Sequence, residues 1–248
     1  MILAAAATLA GAAAQSATGF GFALVAGPAL FAALDPYEAV TVLAILGAVL
    51  SVLVIADAGP RTVRWRAIGP MLLASLPGLG LGLLALELLP KAGLQLGVGV
   101  AVLLAAVLQL RRPPAARSEP SGDVGIAAAG LAGVTSGALT TSIGVSGPPL
   151  VLWLEAEGLR PAELRASLSA GFLGMNVAGG ALLLAVSGSR AAPGVGLVLP
   201  LVGLVAVGHV AGALAFRRLP ENAFRVAVLA LVVAAGLASA AAGLSGLL

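Results

Sequence analysis

Charge is scarce in this chain, and cysteine is absent. Only 9% of its 248 residues are charged, with 13 Lys and Arg against 10 Asp and Glu. A soluble domain carries about a quarter charged residues. Without cysteine there are no disulfides, thiolate metal sites or cysteine nucleophiles. No basic stripe with interleaved aromatics exists, so the net charge of +3 does not point to nucleic acid. No Walker A loop is present, which argues against ATP hydrolysis, and no metal or cofactor is expected. No carboxylate falls in the middle of an apolar run, which argues against a cation held by Asp or Glu. What remains is 60% hydrophobic, with a mean hydropathy of +1.12. So much apolar surface needs lipid as its solvent. The first residues, MILAAAATLAGAAAQSA, lack a basic n-region and run on past any cleavage point, so they read as part of the mature protein.

The apolar sequence is written twice. Pro70–Gln109 aligns without a gap on Pro200–Ser239: Pro70 with Pro200, Gly78 with Gly208, Gly82 with Gly212, Leu89-Pro90 with Leu219-Pro220. Upstream, Gly27-Pro28 pairs with Gly147-Pro148 and Pro36 with Pro161. Two related apolar halves are the signature of a transporter whose site lies at the repeat interface. The halves divide as 1–111 and 124–248, joined by a polar, Pro-Pro-containing linker at 112–123.

Six runs are long enough to span a bilayer, at about 20 residues each: 37–56, 67–89, 92–110, 164–187, 194–216 and 224–247. Two longer stretches, 2–34 and 124–154, are interrupted by Gly and Pro, around Thr18–Gly21 and again at Gly27-Pro28, and around Thr140–Pro149. If all eight stretches cross, Lys and Arg divide seven to six and give no orientation. If the two interrupted stretches turn back, one side holds Arg61, Arg64, Arg66, Arg111, Arg112, Arg117, Arg160, Arg165, Arg217, Arg218 and Arg225, and the other only Lys91 and Arg190. That bias is what the positive-inside rule demands. The expected fold is therefore all-α and integral to the membrane. It has two inverted repeats, each a broken, re-entrant helical hairpin plus three transmembrane helices. The basic loops face the cytoplasm of a bacterial-type inner membrane and both termini lie outside. Eight plain helices with parallel halves is the competing arrangement.

Broken backbone at membrane depth is tolerated only inside protein or beside a water-filled cavity. Helix N-termini there present free N–H groups and a partial positive charge, which suit a small anion. The expected substrate-binding residues are Gln15, Ser16, Thr18, Gly19, Phe20, Gly21 and Gly27 from the first half. Thr140, Thr141, Ser142, Gly144, Ser146, Gly147 and Asn176 come from the second. The hydroxyls and amides donate hydrogen bonds, and the glycines admit close approach. Tight helix packing is the plainer use of the same small residues. Ser51 stands opposite Asn176 in the repeat. His209, the only histidine, falls mid-span, where it either carries a coupling proton or bonds a helix carbonyl. Trp65, Trp153 and Tyr37 read as interfacial anchors.

On these residues the chain resembles the sulfite exporter TauE/SafE family of membrane permeases over essentially its whole length. The resemblance rests on Ser16–Leu24 with Pro28 and Leu30, on Gly144–Leu150 with Trp153-Leu154, and on the Leu-Pro turns at 89–90 and 219–220. Phe22 and Ala23 stand where the family often carries glycines. The resemblance implies secondary transport, usually outward, of sulfite, sulfonates or related organic acids. The partners expected are that anion and the bilayer. Whether Gly78, Gly80, Gly82, Gly179 and Gly180 pack within one chain or between copies in a homo-oligomer stays open.

Two other functions compete. Gly144-Val145-Ser146-Gly147 is a GxSG string, and with His209 it makes an intramembrane serine protease conceivable. A non-transporting membrane subunit is the third reading.

Overall fold

The computed structural model describes residues 1–110, 126–157, 159–218 and 221–247. The 112–123 linker and the Leu219-Pro220 turn lie outside these residues. Ten helices follow one another: α1 (Ile2–Thr18), α2 (Phe22–Ala33), α3 (Pro36–Ala58), α4 (Trp65–Leu88), α5 (Lys91–Leu110), α6 (Ile126–Ile143), α7 (Gly147–Ala156), α8 (Pro161–Ser187), α9 (Val195–Arg218) and α10 (Glu221–Leu247). No strand occurs among the described residues. Each half is a helical pair, the second member short, followed by three long helices, and the six expected spans are all helices of 20–27 residues. Four described segments are long and apolar enough to cross a membrane: Pro36–Ala58, Trp65–Leu88, Ala162–Arg190 and Val195–Leu214.

The helix boundaries have local causes. α1 closes on Gly19, left-handed at φ 88°, whose N–H donates to the Gln15 carbonyl, and Gly21 follows at φ 113°. α6 closes in the same manner: Gly144 (φ 72°) donates to the Thr140 carbonyl and Val145 to that of Leu139. A positive φ strains every residue with a Cβ, so glycine sets both breaks. α3 and α8 start at Pro36 and Pro161, where a missing N–H costs nothing. The Asp35 carboxylate caps α3 by accepting from the Tyr37 N–H at 3.1 Å.

Two expectations need correction. Gly27-Pro28 does not interrupt the chain: α2 runs through it, and Pro28 only removes one helix hydrogen bond, that of the Leu24 carbonyl. The repeat register also differs upstream. Pro36 and Pro161, like Gly19 and Gly144, stand 125 positions apart, whereas α4 and α9, like α5 and α10, start 130 apart. The counterpart of Gly147 is therefore Phe22, not Gly27.

Helix pairing crosses the halves. α1 lies along α9 with Gly208 and Gly212 against the Leu9 and Ala13 backbone; α6 lies along α4 with Gly78 and Gly82 against that of Val134 and Ala138. These contacts correspond residue for residue under the two offsets. Small residues let such helices close without lipid between them. α3 and α8 run antiparallel, Ala44 beside Gly180, Gly47 beside Asn176 and Asp57 beside Arg165. α5 and α10 also run antiparallel, Gly99 against Ala240 and Gly236 against Val102 and Leu103. Buried apolar side chains of α2, α3 and α5 form the larger core, and Trp153 joins a second one between α4, α7 and α8.

Trp65 is exposed at a span end, as an anchor should be. Trp153 and Tyr37 are packed instead. The Trp153 indole N–H donates to the Ala67 carbonyl at 3.1 Å, and the Arg190 guanidinium covers the Tyr37 ring at 4.4 Å.

Candidate functional site

The two breaks, distant in sequence, face one cavity. It measures about 30 Å³, against the ~10–15 Å³ that accommodates a water. Gln15 of α1, Gly21 to Leu24 at the start of α2, and Gly144 to Gly147 ahead of α7 line it, with Leu43, Gly47, Phe172 and Asn176 from α3 and α8. The N-termini of α2 and α7 thus both open on the cavity. The N–H groups of their first turns have no intrahelical acceptor, and in α7 Pro148 and Pro149 carry none, which leaves that of Gly147 at the cavity. The lining carries no charged side chain.

The lining obeys the repeat with a size reversal. Phe22 corresponds to Gly147 and Phe172 to Gly47, so each bulky ring stands where the other half has a bare backbone. Gly47 gives the Asn176 amide its place: a Cβ there would stand 2.6 Å from Asn176 Nδ2. Gln15 is 4% exposed, and its Nε2 has no hydrogen-bond partner among the described residues. An orphaned buried amide donor on a cavity wall needs an explanation.

Of the residues expected at the site, Gln15, Gly21, Gly144, Ser146, Gly147 and Asn176 line the cavity, and the rest do not. Thr18 closes the first turn, its one hydroxyl hydrogen in reach of the Phe20 carbonyl at 2.7 Å or that of Ala14 at 2.9 Å; Gly19 and Phe20 belong to that turn. Thr140 and Ser142 donate to helix carbonyls of their own α6, each at 2.6 Å, and Thr141 to Leu79 of α4 at 2.6 Å. Gly27 lies against Val98 and Leu43 in the core. Ser16 and His209 are hydrogen-bonded, Oγ to Nδ1 at 2.8 Å. Ser146 makes no hydrogen bond to His209 among the described residues, so the dyad that a protease requires is not formed. Reading the residues missed Phe22, Ala23, Leu24, Val145, Leu43, Gly47 and Phe172. The 125-residue offset is the signal that finds the last two, because it maps one onto the other.

The ends of the molecule differ in charge. At one, Arg64 and Arg160 share the Glu163 carboxylate, and Arg165 pairs with Asp57 at 3.1 Å. The hydrogen bond and charge of Glu163 raise the pKa of Arg160, just ahead of its span. At the other end a recess of about 440 Å³ is lined by Asp35, Tyr37, Glu87, Lys91 and Arg190.

Comparison with known proteins agrees with this architecture. The family model described as Sulfite exporter TauE/SafE matches residues 3–239. A protein of Cupriavidus necator, described as "Probable sulfite/organosulfonate exporter TauE", is 31% identical over 164 residues. That match takes in 62% of this chain and 60% of the relative's length. No solved structure matches. A multi-pass helical chain, doubly broken around an internal cavity and matched by this family nearly from end to end, belongs to the sulfite exporter TauE/SafE family.

Proposed function

We propose that the chain is a secondary transporter that exports small sulfur oxyanions, sulfite or short sulfonates, by alternating access. The observation that carries this reading is the convergence of the α2 and α7 N-termini with the orphaned Gln15 amide on one uncharged cavity. An oxyanion there meets backbone N–H groups, the positive ends of two helix dipoles, and amide donors from Gln15 and Asn176. The family match and the printed name of the relative point to the same class of solute.

The inverted repeat belongs to this reading. Antiparallel pairing of α3 with its counterpart α8, and of α5 with α10, is what a two-fold axis in the membrane plane produces. With halves at 1–111 and 124–248 and the 112–123 linker inside, the arginine-rich end faces the cytoplasm and both termini face outward. Membrane potential favours outward movement of an anion by roughly 2.3 kcal/mol per charge per 100 mV. His209, tied to Ser16 one residue after the cavity-lining Gln15, is the residue through which a proton would couple to the site.

Efflux of sulfite or methanesulfonate from loaded proteoliposomes tests the function. Wild-type protein should release either anion saturably, and Gln15→Ala should raise KM about tenfold to a hundredfold, the worth of one hydrogen bond to a charged group at about 1.5–3 kcal/mol. Release no faster than from protein-free liposomes would reject the proposal. Efflux that stays constant between pH 6 and 8 and is unchanged in His209→Leu would remove proton coupling from it.

A further inference from the structure

Arg165 is the least exposed of the three arginines paired at the basic end: its side chain is 17% exposed, against 54% for Arg64 and 80% for Arg160. A guanidinium has five N–H donors in a planar fork suited to an oxyanion. Here Nη2 donates to Asp57 at 3.1 Å, and Nε is buried with no partner among the described residues. Asp57 belongs to α3 and Arg165 to α8, so the pair joins the two halves.

Arg165 also underlies the first break. A Cβ on Gly19 would stand 3.1 Å from the Arg165 Cα, so the tip of the α1–α2 turn rests on the Arg165 backbone. Two residues further on, Gly21 lines the central cavity. Two residues span at most about 7 Å. One side of this turn therefore faces a cation with an unused donor, and the other faces an uncharged anion cavity. An anion approaching through the arginine-rich end, drawn by its field, meets Arg165 before the cavity.

We propose that Arg165 forms an intake site for a small oxyanion on the basic side, and that the Asp57 carboxylate holds the position the oxyanion takes. The proposal rests on the anion-carrier reading above. Binding transfers Nη2 from Asp57 to the oxyanion and gives Nε an acceptor. It also frees the contact between α3 and α8 beneath the turn, which couples arrival of the solute to opening at this end.

The test is sulfite and methanesulfonate flux in vesicles that present the basic loops to the medium. Asp57→Asn removes the competing carboxylate and should lower KM on that side about fivefold, with KM on the opposite side unchanged. Arg165→Gln should raise it about tenfold, and Arg165→Lys, which keeps the charge without the fork, should fall between. Wild-type flux with KM unmoved in both Asp57→Asn and Arg165→Gln overturns the proposal and leaves the pair as a structural clamp. Should Arg165→Gln fail to fold, Asp57→Asn decides alone: an unchanged or raised KM overturns it. Absence of wild-type flux defeats the carrier reading, and this site with it.

Discussion

In the second half, Thr141 ties α6 to α4 by donating to the Leu79 backbone carbonyl at 2.6 Å. At the corresponding place in the first half, Ser16 ties α1 to α9 through the His209 ring at 2.8 Å. Thr141 and Ser16 are equivalent under the 125-residue offset, as Leu79 and His209 are under the 130-residue one. The scaffold has thus kept the same helix crossing and the same hydroxyl in both halves. It has exchanged a backbone acceptor, which cannot titrate, for an imidazole, which can. The cavity repeats the lesson, with Phe22 against Gly147 and Gly47 against Phe172. Packing is shared between the halves, and chemistry and shape are not. For the carrier proposed above, like packing is what would let the two halves interconvert.

The shared packing is the easiest part of the comparison to break. Gly82→Val and Gly212→Val each drive a side chain into the backbone of the facing helix, at Ala138 and Ala13 respectively. Each should cost about 3 kcal/mol, the upper range for overpacking, with matching losses in thermal unfolding in detergent. A large loss in one and none in the other would contradict equivalent crossings. The two breaks should separate by a smaller amount. Gly19→Ala and Gly144→Ala both strain a positive φ, at about 1–2 kcal/mol. Gly19→Ala should be the worse, because its Cβ meets the Arg165 backbone, whereas that of Gly144 meets the end of the Leu43 side chain.

The tie between helices then sharpens the asymmetry. His209→Leu leaves the Ser16 hydroxyl buried without its ring partner and should cost about 1–2 kcal/mol. Thr141→Val should cost about 1 kcal/mol, since the Leu79 carbonyl keeps its helix bond. Only the first should alter how thermal stability depends on pH between 5 and 8. Smallest of all, Arg190→Gln removes a cation from the Tyr37 ring and should cost about 0.5–1 kcal/mol.

Much of this was legible beforehand. Long apolar runs marked the six long helices, four of which have described segments long and apolar enough to cross a membrane. The glycines at 19, 21 and 144 marked the breaks, because a positive φ excludes most other residues. Pro28 misled: in the second turn of a buried helix it removes a single hydrogen bond and the helix continues. Taking Gly27-Pro28 as the partner of Gly147-Pro148 shifted the register there by five residues, although Pro36 with Pro161 and Ser51 with Asn176 already carried the 125-residue offset that maps Gly47 onto Phe172. Hydroxyls misled for another reason. Thr140 and Ser142 satisfy themselves on carbonyls four residues back, an option open to any Ser or Thr in an apolar helix. Gln15 cannot do this with its amide nitrogen in the same way, and its buried Nε2 has no partner among the described residues of the cavity wall.

The central claim is that both breaks face a single seat for an oxyanion. The chain has no cysteine, so Ala23→Cys and Ser146→Cys each report on one wall of the cavity when labelled by a small water-soluble thiol reagent. Methanesulfonate should slow labelling at both positions with one half-saturating concentration, and chloride at equal ionic strength should not. Labelling indifferent to methanesulfonate at either wall would contradict the claim.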